Sequence, residues 1–188
     1  MKNKSKIYKQ CLLAFGVMLN IVGAMIAVQL KLPIYIDSIG TIFIGIFLGS
    51  KYGMLTGLLS SVVNGMTFDI YSLYYMPVQL LLGALSGTLL KFQLFTKKRL
   101  LLAALWVAIP ASLIGSIITA FVFGGITSSG TTYVIALLHQ SGLSLTMSCF
   151  IVQVFTDYVD KLVVLALIYI VSRHTSIQTL LQEKKDSL

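Results

Sequence analysis

The stretch that decides the fold is Leu30–Met66, LKLPIYIDSIGTIFIGIFLGSKYGMLTGLLSSVVNGM. It holds two apolar runs, Ile34–Gly49 and Tyr52–Met66, of 16 and 15 residues. Within them and the short break between them, Asp37 and Lys51 are the only charges. Runs of this length fall short of the roughly 20 residues that cross a hydrocarbon core upright. Two such runs in succession must be sheltered by neighbouring helices or extended by ordered loop structure at membrane depth.

The rest of the chain agrees with a membrane setting. Of its 188 residues 57% are hydrophobic and only 11% charged, under half the share of about 25% usual in soluble domains. Mean hydropathy is +0.92. Six spans are predicted, at about 8–30, 34–49, 52–66, 74–94, 100–123 and 143–171, in one integral membrane domain covering 1–188. The fold class is an all-α membrane bundle. "GGITSSGTT" reads as a loop, and "YVIALLHQSG" as a short helix before the last span. The first run is too long for the apolar core of a signal peptide and lacks a small-residue cleavage site.

The net charge of +8 would suggest nucleic acid for a soluble protein. Here it is better read as a topology marker. With a cytoplasmic N-terminus and six spans, Lys2, Lys4, Lys6, Lys9, Lys51, Lys91, Lys97, Lys98, Arg99, Arg173, Lys184 and Lys185 all fall inside. That is 12 of the 14 basic residues. Both termini are then cytoplasmic, in a multi-pass protein of a prokaryotic plasma membrane. Lys31 falls in an outer loop and Lys161 within the last span.

Small residues mark helix contacts. Gly16, Asn20, Gly23 and Ala27 share one face of the first helix, and Gly53/Gly57 and Gly83/Gly87 form two GxxxG pairs. Packing within the bundle explains such motifs. The first-helix stripe is also a candidate interface with another membrane subunit.

Four of the six acidic residues, Asp37, Asp69, Asp157 and Asp160, map to outer loops or to the outer half of the last span. Glu183 and Asp186 lie in the tail. Carboxylates inside a membrane are expensive and mark functional sites by default. In "QVFTDYVDK", Gln153–Lys161, Asp157 and Lys161 stand at i and i+4, the favourable order for a helix ion pair. Gln153 is one turn before Asp157, and Asp160 lies close by. Lys161 is 12 residues before Arg173, about 18 Å along a helix, hence well inside the bilayer. An ion pair that locks helices together and a wall of a ligand site are both consistent with this pattern.

The second polar concentration is "NGMTFDIYSLYYMP", Asn64–Pro77. Tyr71, Tyr74 and Tyr75 supply ring faces and hydroxyls, Asn64 and Gln79 supply amides, and Asp69 a carboxylate. An aromatic belt at the membrane surface accounts for one or two tyrosines. The whole cluster fits an outward pocket for a flat, polar small molecule, which His139 could join. No catalytic motif, paired histidines, phosphate loop or metal-ligand spacing is present. Cys11 and Cys149 read as packing residues. The sequence therefore predicts no enzyme activity, no metal and no cofactor.

The order of these features resembles the substrate-binding S-components of energy-coupling factor (ECF) vitamin transporters. The likeness runs from Leu30–Met66 through PVQLLLGALSGTLL (Pro77–Leu90) to DYVDKLVVLALIYIV (Asp157–Val171). It implies a six-helix bundle that captures a vitamin from outside. It also implies a transmembrane coupling subunit and two ATP-binding subunits as partners. The Asp157–Lys161 segment and IDSIGT resemble the branch whose members bind pyridoxine or hydroxymethylpyrimidine, pantothenate, cobalamin and queuosine precursors. Tyrosines with carboxylates favour a heterocycle of the vitamin B6 or hydroxymethylpyrimidine kind. Family members often meet the coupling subunit through AxxxA on the first helix. Here the stripe is Gly16, Asn20, Gly23 and Ala27, without that literal motif. A stand-alone secondary transporter, with Asp157, Asp160 and Lys161 as an ion relay, is the alternative.

Overall fold

The computed structural model describes residues 2–32, 34–127 and 130–173. The tail that carries Glu183 and Asp186 lies outside the described residues. All regular structure among them is helical. The order is α1 (Lys2–Gln29), α2 (Ile39–Leu48), α3 (Ser50–Thr67), α4 (Tyr71–Tyr74), α5 (Met76–Ser86), α6 (Leu100–Phe121), α7 (Thr131–Gln140) and α8 (Leu145–Ser172). Two stretches, Lys6–Gln29 and Lys97–Phe121, are long and apolar enough to cross a membrane, with mean hydropathies of 2.4 and 2.2. Large apolar side chains dominate the outer surface, with Phe155 70% and Phe121 77% exposed.

Helices α2 and α3 are one apolar segment broken at a single residue. Gly49 sits at φ 99°, a backbone state that only glycine adopts freely. The α1 helix ends at Gln29 and α2 begins at Ile39, rather than at Ile34 as the hydropathy predicts. The fourth predicted span is also shorter than expected. Pro77 starts α5 in the first turn, where its missing N–H costs nothing. The helix ends at Ser86, and hydrogen-bonded turns carry the chain on to Gln93. At about 1.5 Å per residue, α2 and α5 are each roughly half a bilayer core in length.

The two GxxxG pairs face each other. A Cβ on Gly57 would stand 2.7 Å from the Gln79 carbonyl, and one on Gly53 2.8 Å from the Gly83 carbonyl. A Cβ on Gly83 would collide with the Gly53–Met54 peptide. Backbones of α3 and α5 thus touch, and Ser50 Oγ donates to the Ala84 carbonyl at 2.8 Å. Gly83→Ala is expected to destabilise the protein by about 1–3 kcal/mol or more, since rigid backbone leaves no room to adjust. Thermal unfolding in detergent checks this, and an unchanged midpoint refutes the close crossing.

Helix α6 lies along α8, α7 packs on α8, and α1 covers α2 and α3. The main core joins Ile42 and Ile46 of α2, Leu82 of α5, Ala104 and Val107 of α6, and Val164 and Leu165 of α8. Hydroxyls inside the helices are satisfied locally. Thr56, Ser60, Thr119 and Thr156 each donate to a carbonyl one turn back, which hides their polarity in apolar surroundings.

The first-helix stripe is turned inward. Gly16, Asn20, Gly23 and Ala27 are all buried. A Cβ on Gly16 would stand 2.6 Å from Ile44, and one on Gly23 would collide with the Ile36 carbonyl. The reading of these four residues as a face for another subunit therefore gives way to packing inside the bundle. The outward face of α1 carries Phe15, Met18, Val22 and Ile26 instead.

Candidate functional site

The site is assembled around a chain of hydrogen bonds with a fixed direction. It starts at the N-terminus of α2, where backbone N–H groups can only donate. Gly40 and Thr41 N–H donate to Asn20 Oδ1 at 2.7 and 3.3 Å. This fixes the Asn20 amide, whose Nδ2 donates to Thr41 Oγ1 at 2.7 Å and to Ser60 Oγ at 2.9 Å. Thr41 Oγ1 then donates to Gln79 Oε1 at 3.0 Å. Gln79 Nε2 in turn donates to Asp37 Oδ2 at 3.0 Å. The chain crosses α1, α2, α3 and α5 and ends on a carboxylate.

A second group comes from α8. Lys161 Nζ pairs with Asp160 Oδ2 at 2.5 Å, both side chains being buried at 3% and 1% exposure. Asp160 Oδ1 accepts the Ile36 N–H at 3.1 Å. Ile36 sits at φ 51°, a left-handed state that is rare for a β-branched residue. Asp157 accepts from Ser112 Oγ of α6 at 2.8 Å. The i, i+4 spacing predicts Asp157 as the partner of Lys161, but the adjacent Asp160 takes that place. Asp160 can do so because the connection before α2 holds its other oxygen.

The third group links α5, α6 and α8. Thr119 spends its hydroxyl proton on the Gly115 carbonyl at 2.9 Å. It is then an acceptor for Tyr75 Oη at 2.5 Å and for Gln153 Nε2. With its nitrogen so engaged, Gln153 turns Oε1 the other way. That oxygen lies where a Cβ on residue 115 would come within 2.7 Å, so Gly115 makes room for it.

Members of these three groups wall a cavity of about 60 Å³. By that measure it holds several waters. Its wall includes Tyr35 and Asp37 from the connection before α2, Ser60, Ser61 and Asn64 from α3, and Asp69 and Ser72 from around α4. Tyr75 lies just after α4, and Val78, Gln79 and Leu82 come from α5. Gly115 represents α6, and Gln153, Asp157 and Lys161 represent α8.

Of the side chains singled out from the sequence, the structure thus brings Asp37, Asn64, Asp69, Tyr75, Gln79, Gln153, Asp157 and Lys161 to one wall. Asp160 lies behind it and acts through Lys161 and Ile36. Tyr71 and Tyr74 are not on the wall. Their rings pack on Phe123, with centroids 4.6 and 5.0 Å away, and Tyr75 stacks on the same ring at 6.1 Å. Ser72 donates to Asp69 at 3.0 Å, closing the short turn that carries these tyrosines. His139 is exposed near the end of α7, where its Nδ1 contacts the Leu143 carbonyl. It has no part in the cavity.

Sequence reasoning missed Tyr35, Ser60, Ser61 and Ser72. Serines in an apolar helix carry the same signal whether they face a cavity or a neighbouring backbone. The spacing places Asn20 among the small residues of the stripe, whereas its amide is the hub of the first hydrogen-bond chain.

The described residues contain no group of three or more His, Cys, Asp or Glu side chains able to hold a metal. The wall offers hydrogen bonding, charge and ring faces, which suit recognition of a small polar molecule. No family model matches the chain, and neither a curated protein nor a solved structure is significantly similar to it.

Proposed function

We propose that this chain is a multi-pass membrane protein that captures a small polar molecule in the Asp37–Asn64–Gln79–Gln153–Asp157 cavity. The observation that carries the reading is a buried polar chamber inside a bundle whose outer surface is apolar. Such a chamber costs free energy to build in an apolar setting and is retained for a ligand. The six membrane segments are α1, α2, α3, α5, α6 and α8, and the basic residues put both termini in the cytoplasm. On that orientation the cavity opens outward, and its rim is formed by Ser72 of α4 and by Tyr35 and Asp37 just before α2.

In this reading the chain is the S-component of an ECF-type importer, delivering a vitamin through a transmembrane coupling subunit and two ATP-binding subunits. Its own role is binding and translocation, without enzyme activity. The limited cavity supports a single heterocycle, of the vitamin B6 or hydroxymethylpyrimidine kind, over a corrinoid such as cobalamin. The test is co-expression with an ECF module. The chain is expected to co-purify with both ATP-binding subunits, and failure to associate with any such module sinks the reading.

A secondary transporter remains the second reading, because a buried Asp–Asp–Lys set also suits an ion relay. It requires uptake into liposomes that hold this chain alone. The pairing of Lys161 with Asp160, which also anchors the backbone at Ile36, favours a structural role for that pair.

A further inference from the structure

We infer that the cavity takes its ligand as a cation whose nitrogen presents N–H donors, a protonated amine or amino-substituted nitrogen heterocycle. The inference rests on the binding role proposed above and specifies the chemistry of that same cavity.

Acidic side chains outnumber basic ones on the cavity wall. Asp37 and Asp157 line the cavity together with Lys161, and Asp160 is the ion-pair partner of that lysine. Three carboxylates thus share one ammonium. That ammonium is committed to Asp160, which lies behind the wall. Asp37 has an amide N–H from Gln79, and Asp157 a hydroxyl from Ser112. Neither has a cation of its own. Lys31, the other basic residue of this region, is exposed and absent from the wall. The protein as a whole carries +8, so this gathering of acidic side chains does not follow from its composition.

Unpartnered acceptors on the same wall call for a donor. Among the described residues three buried side-chain polar atoms have no hydrogen-bond partner: Ser38 Oγ, Asn64 Oδ1 and Gln153 Oε1. The last two belong to the cavity wall, and both are acceptors. Asn64 and Gln153 are only 3% and 2% exposed, so water outside the protein does not serve them. The orientation of Gln153 follows from Thr119, whose only proton goes to the Gly115 carbonyl. The same logic makes Tyr75, another residue of the wall, a donor to Thr119. A buried acceptor left unmade costs free energy, and a ligand donor recovers it. A ligand N–H set reaching Asn64 and Gln153 while its positive charge faces Asp37 and Asp157 satisfies both deficits together. A carboxylate ligand satisfies neither.

The test uses the purified full-length chain in detergent and calorimetric titration. The probes are two matched pairs, pyridoxamine with pyridoxine, and the amino form of hydroxymethylpyrimidine with its hydroxy analogue. Pantothenate is the anionic comparison. The amino member of at least one pair is expected to bind about 10- to 100-fold more tightly than its hydroxyl partner, because both members can donate to Asn64 and Gln153 but only the amino member brings a positive charge to Asp37 and Asp157. Pantothenate is expected not to bind. Asp157→Asn is expected to remove that preference while Ser112 still donates to the new amide oxygen.

The ligand comparison stands on the unaltered protein, so a variant that fails to fold does not blur it. Equal binding of the paired probes, or tighter binding of pantothenate, overturns the cation inference and leaves a vitamin-binding subunit intact. If none of the five probes binds, the inference falls as well. Association with an ECF module then decides separately whether the broader reading survives.

Discussion

Asp160→Ala is expected to be the most damaging single substitution in the chain, lowering stability by about 3–5 kcal/mol. The pair it breaks is almost wholly buried, with Lys161 at 3% and Asp160 at 1% exposure. Removing one partner strands a charge that cannot reach water. A second loss falls on the connection before α2. Asp160 Oδ1 holds the Ile36 N–H at 3.1 Å, and Ile36 occupies a left-handed backbone state at φ 51°. A strained residue of this kind persists only where its surroundings over-determine it. Without Asp160 the connection relaxes, and Tyr35 and Asp37 leave the cavity wall with it.

Thermal unfolding in detergent measures the first loss and ligand titration the second. Combining Asp160→Ala with Lys161→Met is expected to recover much of the stability, since no stranded charge remains. Ligand affinity should stay low in the double variant, because Ile36 is still unanchored. If the double variant is no more stable than Asp160→Ala, the ion pair is not what holds this region.

The Asp160 case also shows what the sequence does and does not disclose. Hydropathy locates α1, α3, α6 and α8 well, because an apolar run reports the extent of a helix surrounded by apolar neighbours. It misplaces the start of α2 and the end of α5. Those limits depend on contacts from elsewhere in the chain. Asn20 receives the first N–H groups of α2, and Ser50 holds Ala84 near the end of α5. The scarcity of charge made Asp37, Asp157 and Lys161 legible, since any ion in so apolar a chain calls for a reason. Which aspartate pairs with Lys161 was not legible. Helix spacing treats the α8 side chains alone, whereas the outcome turns on a backbone N–H more than 120 residues away in sequence. The tyrosines of Asn64–Pro77 look alike in sequence. Tyr75 is singled out by reaching Thr119, while Tyr71 and Tyr74 share the ring of Phe123.

Asn20→Ala is expected to lower stability by about 3 kcal/mol or more and to weaken ligand binding from a distance. Asn20 is fully buried and takes part in four hydrogen bonds. Ser38 occupies the N-cap position of α2 but makes no side-chain cap bond. The free N–H groups at that helix start are met from α1 instead, by Asn20 Oδ1. Alanine leaves the Gly40 and Thr41 N–H groups unpaired in the interior, each costing about 1–3 kcal/mol. It also removes the donor to Thr41 Oγ1, the link that sets which way Thr41 and then Gln79 are turned. Gln79 can then present either end of its amide to Asp37, and the carboxylate is no longer held as a ready acceptor at the wall.

Asn20→Asp keeps the acceptor for the α2 N–H groups and loses both donated bonds. Its melting temperature should therefore fall between those of the parent and Asn20→Ala. A double-mutant cycle of Asn20→Ala with Gln79→Ala, read by ligand affinity, checks the transmitted part. Once Gln79 is gone, Asn20→Ala should cost little further affinity, because the two act through one chain. Fully additive losses would show that Asn20 supports the helices alone and that the direction of Gln79 is set by something else.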